Sequence, residues 1–322
     1  MNTDIQIALV GNAPKEQHSL LNSMLDEEGL TDLCDVILYG ADGQPEYEAL
    51  QDALDDYADG QIQGIVCLPM ARPAEDLIAY ALQQEGDIFS ALDNGIIRVG
   101  SVLQASDAAT AQQQLTSEAI QKRGEQLWRM LKRDLNVQNP RIAVLSVGNS
   151  VDVAEGSTDI TVIAPAITEL VKQGIQAFGP VNAATFFDSP KYKAYDAVLQ
   201  MYGTQCTDAY YAASTEPVIT LVGGTDSPIA STEAEGVHRA LWAVMDTRRN
   251  REEYDRPFAN PLEKLYHERR EDGEKARFAV KKKGFNPAEH RRENVKFVTK
   301  NTPKQEQNTP QSEQNTPGEV EK

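Results

Sequence analysis

Short apolar runs alternate with segments of helical periodicity from the start of the chain to about residue 256. The apolar runs are rich in Val and Ile, and several lack polar alternation, which is typical of strands covered by helices on both faces. Strands are predicted at Ile5–Val10, Val36–Tyr39, Gly64–Leu68, Ile96–Leu103, Arg141–Val147, Ile175–Gly179, Ala197–Tyr202 and Val218–Val222. This βα alternation predicts an α/β fold with mostly parallel sheets.

Helices are predicted between the strands, where apolar residues recur with the period of a helix face. Their ranges are His18–Leu25, Tyr47–Tyr57, Ala74–Leu82 and Ile163–Val171. The longest helical stretch runs from Ser106 to Leu135 and separates two α/β halves. A further helix is predicted near Ser231, where Thr232 and Glu235 form a T-x-x-E capping box.

Four regions follow from these patterns. Residues 1–115 are predicted as an N-terminal α/β domain, and residues 116–245 as a second α/β domain that is entered through the long helix. Residues 246–300 are predicted as a basic helical segment. Residues 301–322 are predicted to be disordered, because NTP recurs three times between residues 301 and 317, in a polar sequence without apolar residues to bury.

The net charge of −18 is unevenly distributed. Residues 1–244 contain 13 Lys and Arg against 34 Asp and Glu, whereas residues 245–300 contain 16 against 11. The acidic body argues against nucleic-acid binding. The basic segment is either a solvated helix face or a contact for RNA, an anionic membrane surface, the acidic body or a protein partner. No apolar run is long enough for a membrane span, and no basic stretch precedes the first apolar run, so we expect a cytoplasmic protein.

Cysteine and histidine give no obvious metal site. The three cysteines are widely spaced, lack a C-x-x-C pair and are predicted to be buried free thiols: Cys34, Cys67 and Cys206. The four histidines show no ligand spacing such as H-x-x-x-H: His18, His238, His267 and His290. The sequence also lacks a G-x-S-x-G motif, so a serine-hydrolase arrangement is not indicated.

Residues 141–202 contain the most informative motifs. A buried strand, RIAVLSVGN, ends in a Gly-Asn turn and is followed by AEGS, PAITELVKQGI and GPVNAATFF. The strand YDAVLQMYGTQCT then ends in a polar loop, the position at which open α/β sheets hold ligands. This succession resembles the 4-hydroxythreonine-4-phosphate dehydrogenase family, which reads roughly RIAV-x-GLNPHAGEGG, PAI…GI…GP-x-x-ADT-x-F and YDAV-x-x-MYHDQG. The resemblance covers about residues 60–237.

The resemblance implies two α/β domains around a central cleft, as in isocitrate and isopropylmalate dehydrogenases. It also implies a homodimer whose active site takes residues from both subunits. Members of the family oxidise a phosphorylated hydroxy-amino acid with NAD(P), in the biosynthesis of pyridoxal phosphate. A divalent metal held by three histidines polarises the hydroxyl group and stabilises the developing charge as a Lewis acid.

This chain departs from the family at the metal ligands. The first family histidine corresponds to about Ala105, the second, in MYHDQ, to Gly203, and the third to about Glu235. Gln205 of the MYHDQ motif is retained. Because Lewis-acid catalysis depends on the residues that bind the metal, we predict that the metal-dependent reaction is absent and that no divalent metal is bound.

Two turns are candidates for ligand binding. Gly223, Gly224 and Thr225 follow a strand and could present N–H groups to a cofactor phosphate, although a sharp strand-to-helix turn explains them equally well. Asn149, together with residues 155–157 ahead of a helix, could hold an anion at the helix N-terminus. The structural alternative is that Ser157 is an ordinary N-cap.

Arg72 and Gln205 are candidates for binding the substrate or another ligand. Arg72 follows a strand at about the place of a family lysine and could hold a phosphate or carboxylate, or it could pair with Glu75 or Asp76. A rebuilt metal site would need Asp208 to approach Glu235.

Three functions remain open. The first is a catalytically degenerate family member that binds a small phosphorylated ligand, a dinucleotide or a protein partner. The second is an active NAD(P)-dependent oxidoreductase with an altered metal site and substrate. The third is an interaction protein that acts through the basic segment, residues 246–300.

Overall fold

The fold is taken from a computed structural model that describes residues 5–11, 33–40, 44–70, 72, 74–82 and 87–256. The predicted helix at His18–Leu25, the part of the basic segment beyond Arg256 and the tail lie outside the described residues. The boundary between the two predicted domains stays a prediction.

Ten strands form a single sheet in the order β2-β1-β3-β10-β9-β4-β5-β8-β6-β7. Their bounds are β1 Gln6–Val10, β2 Asp35–Tyr39, β3 Gly64–Cys67, β4 Phe89–Asp93, β5 Arg98–Leu103, β6 Arg141–Leu145, β7 Gln176–Val181, β8 Ala197–Tyr202, β9 Ile219–Gly223 and β10 Ile229–Ser231. The two halves of the sequence share this sheet, because β5 of the first half pairs with β8 of the second.

Strand direction reverses inside the sheet. The pairs β10–β9, β9–β4 and β4–β5 are antiparallel, whereas the other six pairs are parallel. Strands β5 to β9 therefore run opposite to β1–β4 and β10. Their carboxyl ends all lie on the same side of the sheet, across the strand direction. We call this row of strand ends the β5–β9 edge. The predicted α/β class with mostly parallel strands is confirmed.

The helices pack around this sheet. Their bounds are α1 Glu46–Ala58, α2 Ala74–Leu82, α3 Ala108–Gln114, α4 Ser117–Arg129, α5 Ala164–Lys172, α6 Thr207–Ala212 and α7 Val237–Tyr254. Two π-helical segments, Met130–Asp134 and Asp159–Ile163, adjoin α4 and α5. None of the described helices is long and apolar enough to cross a membrane.

The predicted long helix over residues 106–135 is wrong as one element, because α3 and α4 are separate. Leu115 and Thr116 are extended between them, and the Thr116 hydroxyl accepts a hydrogen bond from the backbone N–H of Ala119 at 3.1 Å. Thr116 therefore begins α4 as its N-cap. The predicted capping box is also wrong, since the Thr232 hydroxyl donates to the carbonyl oxygen of Glu233 and the helical turn begins at Ala234.

The sequence prediction missed β4 and β10. Strand β4 joins β5 through the turn Asp93-Asn94-Gly95, in which Gly95 has φ +82 and Asn94 Oδ1 accepts from two following N–H groups. Asp93 is buried and forms ion pairs with Arg98 and Arg239, both at 3.1 Å. These contacts stabilise the hairpin in which β5 runs antiparallel to β4.

The cysteines are free and buried, as predicted, at positions 34, 67 and 206. Burial raises the pKa of the Cys67 and Cys206 thiols to about 12. Both thiols are therefore protonated near neutral pH, and neither is suited to act as a nucleophile.

A buried ion pair connects the C-terminal part of α7 to the rest of the chain. Arg251 Nε lies 2.7 Å from Asp134 Oδ1, and both side chains are less than 10% exposed. Arg251 Nη1 also donates to the carbonyl oxygens of Thr225 and Asp226, at 3.1 and 2.8 Å. One guanidinium thus joins α7, a π-helical segment and the turn after β9.

We predict that Arg251→Met lowers the free energy of unfolding by about 3–5 kcal/mol, because it leaves the Asp134 carboxylate buried without its partner. Arg248→Met is the matched control on the same helix. Arg248 pairs with Glu252, which is 59% exposed, so its loss should cost about 0.5 kcal/mol or less. Urea unfolding followed by circular dichroism measures both, and equal losses would contradict the structural role of Arg251.

Candidate functional site

The parallel pairing of β5 with β8 brings two of the expected metal positions together. Leu103 is opposite Tyr202 in this pair. One step beyond, the N–H of Gly203 donates to the carbonyl oxygen of Ala105 at 3.2 Å. Both residues are partly exposed at the β5–β9 edge. The two positions that the resemblance assigns to metal-binding histidines therefore lie where β5 and β8 end side by side.

A buried glutamine organises the loop at this place. Gln200 Nε2 donates to Ser101 Oγ at 2.8 Å and to the carbonyl oxygen of Gly203 at 2.9 Å. Gln200 Oε1 accepts from the N–H and the thiol of Cys206. Since both ends of this amide are used within the chain, Gln200 holds the turn after β8 in one conformation.

Gln205 has a similar role. Its Oε1 accepts from the N–H of Met201 at 2.7 Å, and its Nε2 donates to the carbonyl oxygens of Ser146 and Val147. The side chain thus links the end of β6 to the end of β8. Ligand binding by Gln205 stays a prediction, and a ligand would have to compete with these bonds.

The residues at the expected metal position do not suit a metal. Ala105 offers a methyl group and Gly203 a hydrogen atom, neither of which has a lone pair for a divalent ion. Glu235 follows β10, whose carboxyl end lies at the opposite edge of the sheet from the β5–β9 edge. Asp208 follows β8, so the hypothesis that Asp208 and Glu235 approach one another within one chain is wrong. Across the part of the chain that the structure describes, no three His, Cys, Asp or Glu side chains cluster to hold a metal.

A cavity of about 420 Å³ lies beside this position. Its lining comes from α2, α4 and the adjoining parts of β4 and β5: Arg72, Asp76, Ala79, Tyr80, Ile88, Phe89, Ser90, Ser101, Gln104 and Arg123. Strands β4 and β5 pair with Ala91 opposite Gly100, and this register continues to place Ser90 opposite Ser101 on the same face. We call this space the Arg72 cavity.

Two guanidinium groups face the Arg72 cavity. Arg72 is exposed and forms neither a hydrogen bond nor an ion pair with any described residue, so its predicted pairing with Asp76 is not observed. Arg123 is half-buried on α4 and donates to the carbonyl oxygen of Ile88 and to Gln126 Oε1. Burial lowers the pKa of the Arg123 guanidinium.

A second cavity, of about 390 Å³, adjoins the predicted cofactor turn at Gly223, Gly224 and Thr225. The turn is tightly packed. A Cβ atom at Gly223 would lie 2.5 Å from the Phe89 ring, and one at Gly224, which has φ +86, would overlap the Asp87 carbonyl oxygen. The structure thus gives both glycines a packing role, and cofactor binding by this turn stays a prediction.

The predicted anion site at Asn149 already contains an internal anion. The buried Asp159 carboxylate accepts hydrogen bonds from the N–H groups of Val147 and Asp152, at 3.0 and 2.8 Å. Ser157 donates its hydroxyl to the carbonyl oxygen of Asp152 and does not cap the following π-helical segment. Asn149 itself is exposed, and its carbonyl oxygen accepts from Ala184.

Sequence reasoning missed three residues that shape the site: Gln200, Asp159 and Arg123. A polar residue within the apolar strand AVLQMY is a detectable signal for Gln200, because buried amides are almost always bonded. Asp159 and Arg123 lie in sequence segments of ordinary helical pattern. Their hydrogen-bond partners are known only from the structure.

We predict that Gly224→Ala destabilises the protein more than Gly174→Ala. Both glycines have φ near +87, but a Cβ atom at Gly174 would meet nothing within 4 Å. Gly174→Ala should therefore cost about 1 kcal/mol through backbone strain alone. Gly224→Ala should cost about 1–3 kcal/mol more because of the contact with Asp87. Thermal unfolding of the two variants measures the difference. Equal losses of unfolding free energy would contradict a packing role for Gly224.

Comparisons with known proteins identify relatives over most of this fold. Residues 37–233 match the family described as "Pyridoxal phosphate biosynthetic protein PdxA". A 4-hydroxythreonine-4-phosphate dehydrogenase from Bacteroides thetaiotaomicron is 27% identical over 263 residues, which cover 72% of this chain and 71% of the relative. The same enzyme from Xanthomonas axonopodis pv. citri is 28% identical over 190 residues, which cover 56% of this chain and 59% of the relative.

Solved structures share the fold at lower identity. A putative 4-hydroxythreonine-4-phosphate dehydrogenase from Salmonella typhimurium has a TM-score of 0.59 at 15% identity and covers 76% of this chain and 100% of its own. A branched-chain phosphotransacylase from Enterococcus faecalis V583 has a TM-score of 0.52 at 17% identity and covers 76% and 99%. Since proteins with two different activities share this fold, the residues of the site have to decide the function.

Proposed function

The chain belongs to the PdxA family, whose match spans more than half of it, and on that premise we propose that it binds a small phosphorylated ligand or a dinucleotide without the family's metal-dependent oxidation. The ligand lies at the β5–β9 edge, where the Arg72 cavity and the cavity beside Gly223 open. The homodimer and a protein partner for the basic segment are further expectations from the sequence.

One observation carries this proposal. Ala105 and Gly203, to which the resemblance assigns approximately two of the family's metal-binding histidines, are hydrogen-bonded neighbours at the ends of β5 and β8. At these two positions the side chains are a methyl group and a hydrogen, neither of which can bind a divalent ion. Without a Lewis acid at this position, the developing alkoxide charge has no stabilising partner there.

The catalytic prediction is tested with 4-hydroxythreonine 4-phosphate, NAD(P) and Zn²⁺ or Mg²⁺. We expect no metal-dependent formation of reduced cofactor by the full chain. We also expect NAD or the phosphorylated compound to raise the thermal unfolding temperature, with or without chelator, because binding to the folded state alone stabilises it. Turnover that needs added metal would contradict the proposal.

Restoring the ligands gives an independent test. We predict that Ala105→His combined with Gly203→His creates a Zn²⁺ site, because the two backbones are adjacent. A Cβ atom at Gly203 would lie 3.7 Å from Gln104 Oε1 and 3.9 Å from the Ala105 carbonyl oxygen, which is ordinary contact. Each single substitution is the control, since one imidazole is a poor site. Equal Zn²⁺ uptake by the wild-type and double-variant proteins would show that the metal binds elsewhere.

A further inference from the structure

A third cavity, of about 490 Å³, lies beside the ends of β6 and β7, at the far end of the β5–β9 edge. Small-molecule sites usually have volumes of roughly 300–1,000 Å³. Three aromatic side chains line this cavity, those of Phe186, Tyr192 and Tyr195. It shares no lining residue with the Arg72 cavity or with the cavity beside Gly223, so it is a separate site that the proposed function does not use. We call it the Tyr192 cavity.

Contacts within the chain hold the walls of the Tyr192 cavity. Asn182 Oδ1 accepts a hydrogen bond from the N–H of Val151 at 2.8 Å, which joins the loop after β7 to the loop after β6. The centroid of the Phe186 ring lies 6.5 Å from that of Tyr192 and 5.9 Å from that of Tyr195. Because these walls are formed before a ligand arrives, binding need not order them and costs less entropy.

The Tyr192 hydroxyl lacks a partner. Tyr192 is only 7% exposed, and its hydroxyl forms no hydrogen bond with any residue that the structure describes. Among the same residues, the one fully enclosed side-chain nitrogen or oxygen without a hydrogen bond is Arg98 Nε. The Tyr192 hydroxyl is therefore open to the cavity that its residue lines. Since buried polar groups are almost always hydrogen-bonded, this hydroxyl indicates that an acceptor atom belongs in the cavity.

The other polar groups of the cavity are also donors. Lys191 lines it and forms neither a hydrogen bond nor an ion pair with any described residue. Thr185 and Ser189 add two hydroxyl groups. None of the described lining residues is acidic, although residues 1–244 contain 34 Asp and Glu against 13 Lys and Arg. An ammonium group and several hydroxyl groups, without a carboxylate, favour an anion.

We infer that the Tyr192 cavity binds a small aromatic carboxylate. The ring of the ligand packs against Phe186 and Tyr195, because aromatic rings attract one another in edge-to-face and offset arrangements. The carboxylate accepts hydrogen bonds from the Lys191 ammonium and the Tyr192 hydroxyl, and such charge-assisted bonds are stronger than neutral ones. An aliphatic carboxylate lacks the ring contacts, and an uncharged aromatic compound leaves the ammonium group without a partner.

Isothermal titration calorimetry of the full chain with naphthalene-2-carboxylate tests this inference. We expect saturable binding. Decahydronaphthalene-2-carboxylate has the same charge without an aromatic ring, and naphthalene-2-methanol has the ring without the charge. Each should bind at least about tenfold more weakly than naphthalene-2-carboxylate. No saturable binding of naphthalene-2-carboxylate, or equal binding of either comparison compound, would overturn the inference.

Two substitutions test the contacts to the carboxylate. Lys191→Gln and Tyr192→Phe should each weaken the binding of naphthalene-2-carboxylate by about fivefold or more, because each removes one donor. Tyr192→Phe keeps the ring and removes a hydroxyl without a partner in the chain, so its unfolding temperature should stay within about 2 °C of wild type. A lower unfolding temperature with unchanged affinity would assign Tyr192 a structural role and contradict the inference.

Lys172→Gln is the matched control for the charge. Lys172 is an exposed lysine on α5 and lines none of the three cavities, so affinity should stay within about twofold of wild type. Arg72→Gln should also leave affinity within about twofold, because Arg72 lines a different cavity. An equal loss in Lys172→Gln and Lys191→Gln, or loss of binding in Arg72→Gln, would overturn the inference.

Discussion

The pairing of β5 with β8 is the constraint on which the site depends. Backbone hydrogen bonds along this pair leave no freedom in register, because a shift by one residue would turn every buried side chain to the opposite face. The pairing joins the two halves of the sequence in one sheet and sets Ala105 against Gly203. Gln200 and Gln205 then fix the loop after β8 through hydrogen bonds within the chain.

A second constraint is the reversal of strand direction. Three antiparallel pairs, β10–β9, β9–β4 and β4–β5, bring about this reversal. The ion pairs of the buried Asp93 with Arg98 and Arg239 stabilise the β4–β5 hairpin. Because of this reversal, the ends of β5 and β8 open on the same edge as the turn after β9. Both cavities lie along that edge, and Glu235 lies at the other one.

Much of the fold could be predicted from the apolar pattern, because strands buried on both faces are continuous apolar runs. Strand Ala197–Tyr202 was predicted with the observed bounds. Strand β4 was missed because its five residues, FSALD, include two polar ones and do not form a continuous apolar run, although Asp93-Asn94-Gly95 at its end is a strong hairpin signal. The break between α3 and α4 depends on one threonine, and a helical pattern of apolar residues continues through it.

The site was predicted less completely, for a physical reason. The family motifs pointed to Ala105, Gly203 and Arg72, which lie near strand ends that the sequence marks, and their roles stay predictions. Arg123 could not be found in this way, since its place in the lining of the Arg72 cavity depends on segments that are distant in sequence. The structural roles of Gln205, Gly223 and Gly224 could be assigned only from their contacts in the structure, because a sequence pattern does not show them.

The measurement that tests the central claim most directly is the divalent metal content of the full-length protein, purified without chelator and after incubation with Zn²⁺ and Mg²⁺. Our account predicts substoichiometric metal in both preparations, because two of the three expected ligand positions, Ala105 and Gly203, lack side-chain donor atoms. One tightly held metal ion per chain, lost on substitution of a residue at the β5–β9 edge, would contradict it.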